Sequence, residues 1–331
     1  MLSLFIGTAL ILLTVVDALW TTLWVNGGGG PFSSRLAKVL WWALRKCTSE
    51  GRSWPLGLAG PVVLVVVFLG WVGLLWAGWT LVFSSDPAAV SYVGSGESPD
   101  WTGRAYFTGF TLFTLGIGNI VPQRGGWEIA TVVASGSGML LITLGISYVL
   151  SVLGAVVTGR AFAGSVAGLG DDAEGIVLRA WDGERYAGLT LALSTLSSQL
   201  ETMSQQHLAY PVLHFYHARD ANTAPAAAVA VLDEALTVLR FGVPASCRPP
   251  ESVLEGARAS VQNYLSTLKG ASVEPADRIP RPPALDRLRT AGLPTVSDAA
   301  FARSLEALER RRRTLLGMVE TDARTWPPEQ S

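Results

Sequence analysis

Between two long apolar runs of this chain lies the stretch YFTGFTLFTLGIGNIVP, residues 106–122, and its centre constrains the fold more than any other feature. Thr114-Leu115-Gly116-Ile117-Gly118-Asn119 sets a threonine and two glycines at alternate positions, followed by Pro122. Non-helical backbone at membrane depth is tolerated only where it is buried in protein or lines a water-filled cavity. Alternate glycines lift the steric bar on left-handed dihedrals, so that successive carbonyls can turn to one side as a column of oxygens. Such a column can replace the water shell of a dehydrated cation.

On these residues the segment resembles the pore loop of the potassium-channel superfamily, whose filter reads TVGYG in its commonest form. The resemblance covers roughly residues 55–158. It implies a re-entrant pore helix, an ion-selectivity filter made of Thr114, Leu115, Gly116, Ile117, Gly118 and Asn119, bound K+ ions in that filter, and four identical chains around one axis. Counting from Gly118, it also makes Gly138 a candidate gating hinge on the inner helix; close helix packing is the competing role for a glycine there. Three positions depart from the family pattern. Ile117 stands where an aromatic is usual, Asn119 where aspartate is usual, and Phe110 where some members carry a glutamate paired with that aspartate. Because carbonyls do the coordinating, these changes still permit the ion sites but alter what braces them. A potassium-selective channel is thus the leading reading, with a weakly selective cation channel as its rival. From another class, the chain could be a non-conducting membrane-anchored sensor or scaffold.

The flanking segments fit a multi-pass membrane protein. Residues 2–25 form an apolar run that, at ~1.5 Å per residue, exceeds the ~30 Å hydrocarbon core. No basic stretch or small-residue cleavage site marks this run as a removable signal. Asp17 inside it is a candidate intramembrane charge, since an ionised carboxylate facing lipid costs about 3 kcal/mol even on lenient scales. The alternative is a position near the inner interface, hydrated or bonded to Thr14, Thr21 or a basic neighbour. Further spans are expected at 55–83 and 127–158. Between the first two, residues 33–47 interleave Leu36, Val39, Leu40, Trp41 and Leu44 with Arg35, Lys38, Arg45 and Lys46, the pattern of a helix lying in the interface against anionic lipid. Its position resembles the slide helix of inward-rectifier channels. Trp54, Trp71, Trp76 and Trp79 suit interfacial belts and helix packing. Residues 26–54 carry five basic side chains against one acidic, whereas 84–105 carry Asp86, Glu97 and Asp100 against Arg104. The positive-inside rule then puts the first loop in the cytoplasm and the N-terminus and pore entrance outside, in the plasma membrane. Neither early span has arginines at every third position, so no voltage sensor is expected.

Composition changes after residue 159, where an ordinary soluble, helical pattern begins. The expected organisation is 1–26 N-terminal transmembrane helix, 27–54 cytoplasmic interfacial helix, 55–158 pore domain, 159–187 linker and 188–331 helical cytoplasmic domain. The fold class is therefore an all-α membrane protein with three transmembrane helices, a re-entrant pore helix and filter, a tetrameric pore and a helical cytoplasmic domain. Leu189, Leu193, Leu196, Leu200, Met203 and His207 form a heptad-like seam, and Phe301, Leu305, Leu308, Arg312, Leu315 and Val319 a second, both read as core stripes of a bundle. Helices are also expected at about 225–241 and 251–269. Arg310 to Arg313 reads as a solvated face or an anionic-lipid contact. GLGDDAEG lacks the strand and crossover context of a nucleotide loop. The tail RTWPPEQS reads as disordered.

All three histidines fall in HLAYPVLHFYH. His214 and His217 are one helical turn apart, which makes them candidates for sharing a proton or a metal, with satisfied bundle histidines as the simpler reading. Cys47 and Cys247 have no CxxC partner and read as reduced packing residues. A net charge of −1 argues against a nucleic-acid partner. No nucleophile, base and metal constellation points to an enzyme, and no cofactor is expected beyond the K+ ions. The expected partners are K+, further copies of the chain, and membrane lipid.

Overall fold

The computed structural model describes residues 1–24, 28–47, 58–218, 220–269, 273–322, 324 and 326. Expectations resting on Asn26, Gly27, Arg52 and Trp54, on the side chains of Arg45, Lys46 and Cys47, and on the tail 327–331 lie outside the described residues.

The chain divides into two compact units, one built from Met1–Ser49 with Ala59–Leu153 and one centred on Gly154–Ser331. The first holds α1 (Leu2–Leu23), α2 (Pro31–Cys47), α3 (Ala59–Phe83), β1 (Val90–Tyr92), α4 (Trp101–Leu112), β2 (Ile120–Pro122) and the first part of α5 (Gly126–Leu169). Three of these helices, α1, α3 and α5, are long and apolar enough to cross a membrane. Lipid supplies no hydrophobic drive between helices, so close approach depends on small residues. Gly7 and Gly78 meet this need where α1 crosses α3: a Cβ on Gly7 would lie 2.6 Å from the Gly78 carbonyl, and one on Gly78 would lie 3.0 Å from that of Gly7.

Among its described residues the second unit's regular elements are all helices: the end of α5, α6 (Ala173–Arg179), α7 (Leu189–Ala209), α8 (Pro225–Thr237), α9 (Glu251–Lys269), α10 (Asp286–Thr290), α11 (Asp298–Glu306) and α12 (Glu309–Thr321), with short tight turns of helix between them. At its centre is α8, buried at every residue from Ala228 to Thr237, as befits a helix apolar nearly all round. The seam of α7 faces the core through Leu189, Leu193, Leu196, Leu200 and Met203. Phe301, Leu315 and Val319 of the second row are buried too, but that row is broken between α11 and α12 at Ala307 and Leu308.

Three expectations are corrected here. The stretch 159–187 is no linker. α5 runs on to Leu169, and Phe162, Ala163 and Val166 from it join Ile176, Val177 and Tyr186 in the core. Its many small residues are those of a closely packed helix, and Asp172 in GLGDDAEG caps α6 by accepting the Gly175 N–H at 2.6 Å. Arg310 to Arg313 is not simply a solvated face. Arg311 forks onto Asp233 with bonds of 2.6 to 3.1 Å, Arg312 binds Glu234 at 2.7 Å, and Arg313 donates to the Ala276 carbonyl at 2.7 Å. Two residues of the tail are held as well: Trp326 is buried and Arg324 donates to the Ala218 carbonyl at 2.6 Å.

Candidate functional site: the pore loop

α4 begins where the Asp100 carboxylate accepts the Gly103 N–H at 2.7 Å, satisfying one of the donors a helix start leaves open. Arg104, one turn on, is buried and makes a staple for the preceding loop. Its guanidinium donates to the carbonyls of Pro99 (3.0 Å), Asp86 (2.9 Å), Pro87 (2.9 Å) and Phe83, and to Ser98 Oγ at 2.7 Å. From α3, the Trp76 indole donates to the Ala105 carbonyl at 2.8 Å. The helix is thereby fixed at its start and along its side.

It stops at Phe113, whose N–H still reaches the Gly109 carbonyl at 3.0 Å, and the backbone then changes hand at every second residue. Thr114 has φ +56°, Gly116 +62° and Gly118 +78°, and Thr114 is the one non-glycine residue with positive φ among those described. Left-handed backbone is uncommon for a residue with a Cβ, so Thr114 is held there by its context. Its N–H donates to the Thr111 carbonyl at 3.1 Å and that of Leu115 to the Phe110 carbonyl at 2.8 Å. Alternation in the sign of φ is the geometry that turns successive carbonyls to one side. The electronegative C-terminal end of α4 leads directly into this segment, which favours a cation there.

The far end of the loop is also held. β2 pairs antiparallel with β1, with Tyr92 opposite Ile120 and Val90 opposite Pro122. Val93 N–H donates to the Asn119 carbonyl at 3.0 Å and Gln123 Nε2 to Ser91 Oγ at 2.9 Å. Behind the loop, Phe110 packs edge-on to both Tyr106 and Phe107 at 5.3 Å between ring centroids. Residues 113–119 themselves are all exposed in the single chain, Leu115 at 64% and Ile117 at 49%. Gly138 of α5 lies against the end of α4: a Cβ there would sit 2.3 Å from the Leu112 carbonyl. Close packing is thus an observed demand at Gly138, whatever it does as a hinge.

The family described as Ion channel matches residues 62–155, a range that takes in α4, the loop and most of α3. Over nearly its full length the chain is similar to "Uncharacterized membrane protein YdjJ" of Bacillus subtilis (strain 168), 38% identical over 328 residues that make up 98% of this chain and 96% of that protein. The chain belongs to the ion-channel family, in its two-span pore-loop form. No solved structure matches it.

This ion-channel chain adds a first span to that core, and Asp17 explains how it is attached. The carboxylate is 1% exposed and accepts from Phe32 N–H at 2.8 Å, Ser33 N–H at 3.2 Å, the Ser33 hydroxyl, and Trp71 Nε1 at 2.8 Å. Neither Thr14 nor Thr21 bonds it: Thr14 Oγ1 donates to the Leu10 carbonyl, and Thr21 Oγ1 accepts from Gly30 N–H at 2.9 Å. Asp17 instead caps α2 from α1, a pairing of carboxylate with helix N-terminus that needs no cation. The bonds of Ser33 and Trp71 to Asp17 carry no sequence signal, because partners supplied from another element leave no local motif. Trp79 serves similarly, donating to Ser137 Oγ of α5 at 3.0 Å.

The histidines lie in the second unit. Pro211–Phe215 is a short tight helix and Tyr216 is extended, so His214 and His217 do not share one α-helical face. His217 pairs with Asp322 through Nδ1. His207 presents Nδ1 to the Met203 carbonyl at 3.3 Å and stands edge-on to Tyr264. Burial pushes His207 down to about 4 and lowers His214, with His217 adding to the effect on His214. Among the described residues no group of three or more His, Cys, Asp or Glu side chains is disposed to hold a metal. Cys247 is a free thiol.

Proposed function

We propose that four copies of this chain assemble around the segment Thr114 to Asn119 and conduct K+ passively across the plasma membrane. The N-terminus is then outside and the helical domain of residues 154–331 cytoplasmic. The observation that carries the reading is the alternation of positive φ at Thr114, Gly116 and Gly118 directly after the C-terminal end of α4. The uncovered apolar side chains of Leu115 and Ile117 supply a surface for neighbouring copies. Arg35 and Lys38 of α2 are exposed alongside Val39 and Trp42, which fits contact with anionic lipid headgroups.

Purified protein in liposomes tests the reading. Flux of K+ in excess of Na+ is expected, lost in Gly116→Ala because a Cβ strains backbone at φ +62°. Unchanged selectivity in that variant, or no flux from wild type, overturns it. The weakly selective alternative draws on Phe110, which lines the loop's support with an aromatic cluster where a carboxylate pair would brace it by hydrogen bonds. Bi-ionic reversal potentials separate the two.

A further inference from the structure

α5 does not end with its apolar run. Its continuation from Gly154 belongs to the helical unit, and there residues 155–160 form one wall of a cavity of about 100 Å³. Met203, Leu213, Tyr264, Leu268 and Met318 give the cavity an apolar lining, and polar groups enter from several elements: Arg160, Gln206, the three histidines, Tyr216 and Asp322. Mostly apolar walls with a few convergent polar groups are the usual make-up of a small-molecule site.

The chemistry of the occupant follows from which polar groups are already satisfied. Asp322 is matched, since His217 Nδ1 bonds it and Arg324 stands 3.4 Å away. His207 is neutral, held so by burial, and its Nδ1 is taken by the Met203 carbonyl. Two further groups bear on the occupant. Arg160 is exposed and has no ion pair among the described residues. The Tyr216 hydroxyl is buried and has no hydrogen-bond partner among the described residues. An unsatisfied buried hydroxyl costs roughly 1–3 kcal/mol, which a ligand oxygen would recover. One unmatched cation and one unmatched hydroxyl above an apolar lining fit a single negative group on a short hydrocarbon body. A phosphate dianion calls for more than one cation, and a metal for ligands the cavity does not assemble.

We propose that this cavity binds a small aliphatic carboxylate, its charged end between Arg160 and the Tyr216 hydroxyl and its hydrocarbon end against Met203, Leu213 and Met318. Because residues 155–160 belong to the same unbroken helix as the span that follows the pore loop, occupancy biases that helix and so the flux. The effect on flux rests on the channel reading; the binding does not.

The test uses the full chain in detergent, titrated with 3-methylbutanoate, with butanoate, with the neutral 3-methylbutanamide and with inorganic phosphate, and read by calorimetry and by unfolding temperature. Both carboxylates should bind and raise the unfolding temperature, with the amide and phosphate about tenfold weaker or worse. Arg160→Gln should weaken binding about tenfold and the isosteric Tyr216→Phe by about three- to tenfold. No binding of either carboxylate at millimolar concentration overturns the site. So does equal affinity for the amide, or wild-type affinity in both variants. In liposomes, 3-methylbutanoate should change K+ flux through wild type and not through Arg160→Gln; binding with flux unaltered overturns the regulatory half. Liposomes with no flux under any condition would sink the channel reading while the calorimetry still decides the site.

Discussion

Trp71 donates its indole N–H to the Asp17 carboxylate across 2.8 Å, joining α3 to α1 over 54 residues of sequence, while the same carboxylate holds the first N–H groups of α2. One side chain therefore fixes three elements. Asp17→Asn would turn donors toward donors at Ser33 and Trp71 and should destabilise the membrane unit by about 2–3 kcal/mol. Trp71→Phe removes one bond and part of a buried ring and should cost about 1–2 kcal/mol. Unfolding of the detergent-solubilised protein measures both. Wild-type stability in Asp17→Asn would show that the cap contributes nothing.

Gly138 and Gly136 offer a matched pair on α5. A Cβ at Gly138 collides with the Leu112 carbonyl at 2.3 Å, whereas one at Gly136 meets nothing within 4 Å. Gly138→Ala must displace the end of α4 and with it the start of the loop at Thr114. It should abolish or strongly reduce ion flux in liposomes, and Gly136→Ala should leave flux near the wild-type level. The reverse ranking would remove packing as the reason for the glycine at 138.

Arg312 and Glu234 are 3% and 5% exposed and form a pair at 2.7 Å, with Glu234 Oε2 lacking a hydrogen-bond partner among the described residues. Burial pushes Glu234 up to about 7 against the pull of Arg312. Arg312→Met leaves that carboxyl to be buried alone, at a cost of about 3 kcal/mol at pH 8. The folded variant takes up a proton there that the unfolded chain, titrating near 4.5, does not hold at that pH. Its stability must therefore fall as pH rises, and the deficit should be smaller at pH 6 than at pH 8. Chemical denaturation at the two pH values checks the sign.

The spans and the loop were legible because each carries its own local signal: apolar length for α1, α3 and α5, and alternate glycines for the loop. The seam from Leu189 to Met203 was legible by its spacing. What stayed hidden depends on partners distant in sequence. The run of arginines looked solvated because its acids, Asp233 and Glu234, lie 78 residues earlier. The signal was present there, in two adjacent acids within the apolar run AVAVLDEALTVL, which cannot be buried without cations. The stretch 159–187 looked like a linker because glycine and alanine serve both flexible chain and tight helix packing. Only Phe162 and Val166, four apart, hinted at the second.

His207 gives the helical unit an acid limit whose sign can be worked out. Its ring is packed against Tyr264, has Nδ1 on the Met203 carbonyl, and shares its surroundings with His214, so burial depresses it from 6.5 to about 4. The folded state thus keeps the ring neutral while the unfolded chain protonates it below about 6.5. In that window the unfolded state binds more protons, so stability rises with pH: the contribution is complete above 6.5 and is lost as pH falls through 4. A shift of this size corresponds to about 3 kcal/mol. Glu234 works in the opposite direction over part of the same range, which makes the total slope uninformative. The difference between wild type and His207→Gln cancels that background. Wild type should lose about 3 kcal/mol relative to His207→Gln between pH 7.5 and pH 4, measured by denaturant unfolding at each pH. Parallel pH profiles for the two proteins would mean that the His207 ring is hydrated enough to titrate normally in the folded state.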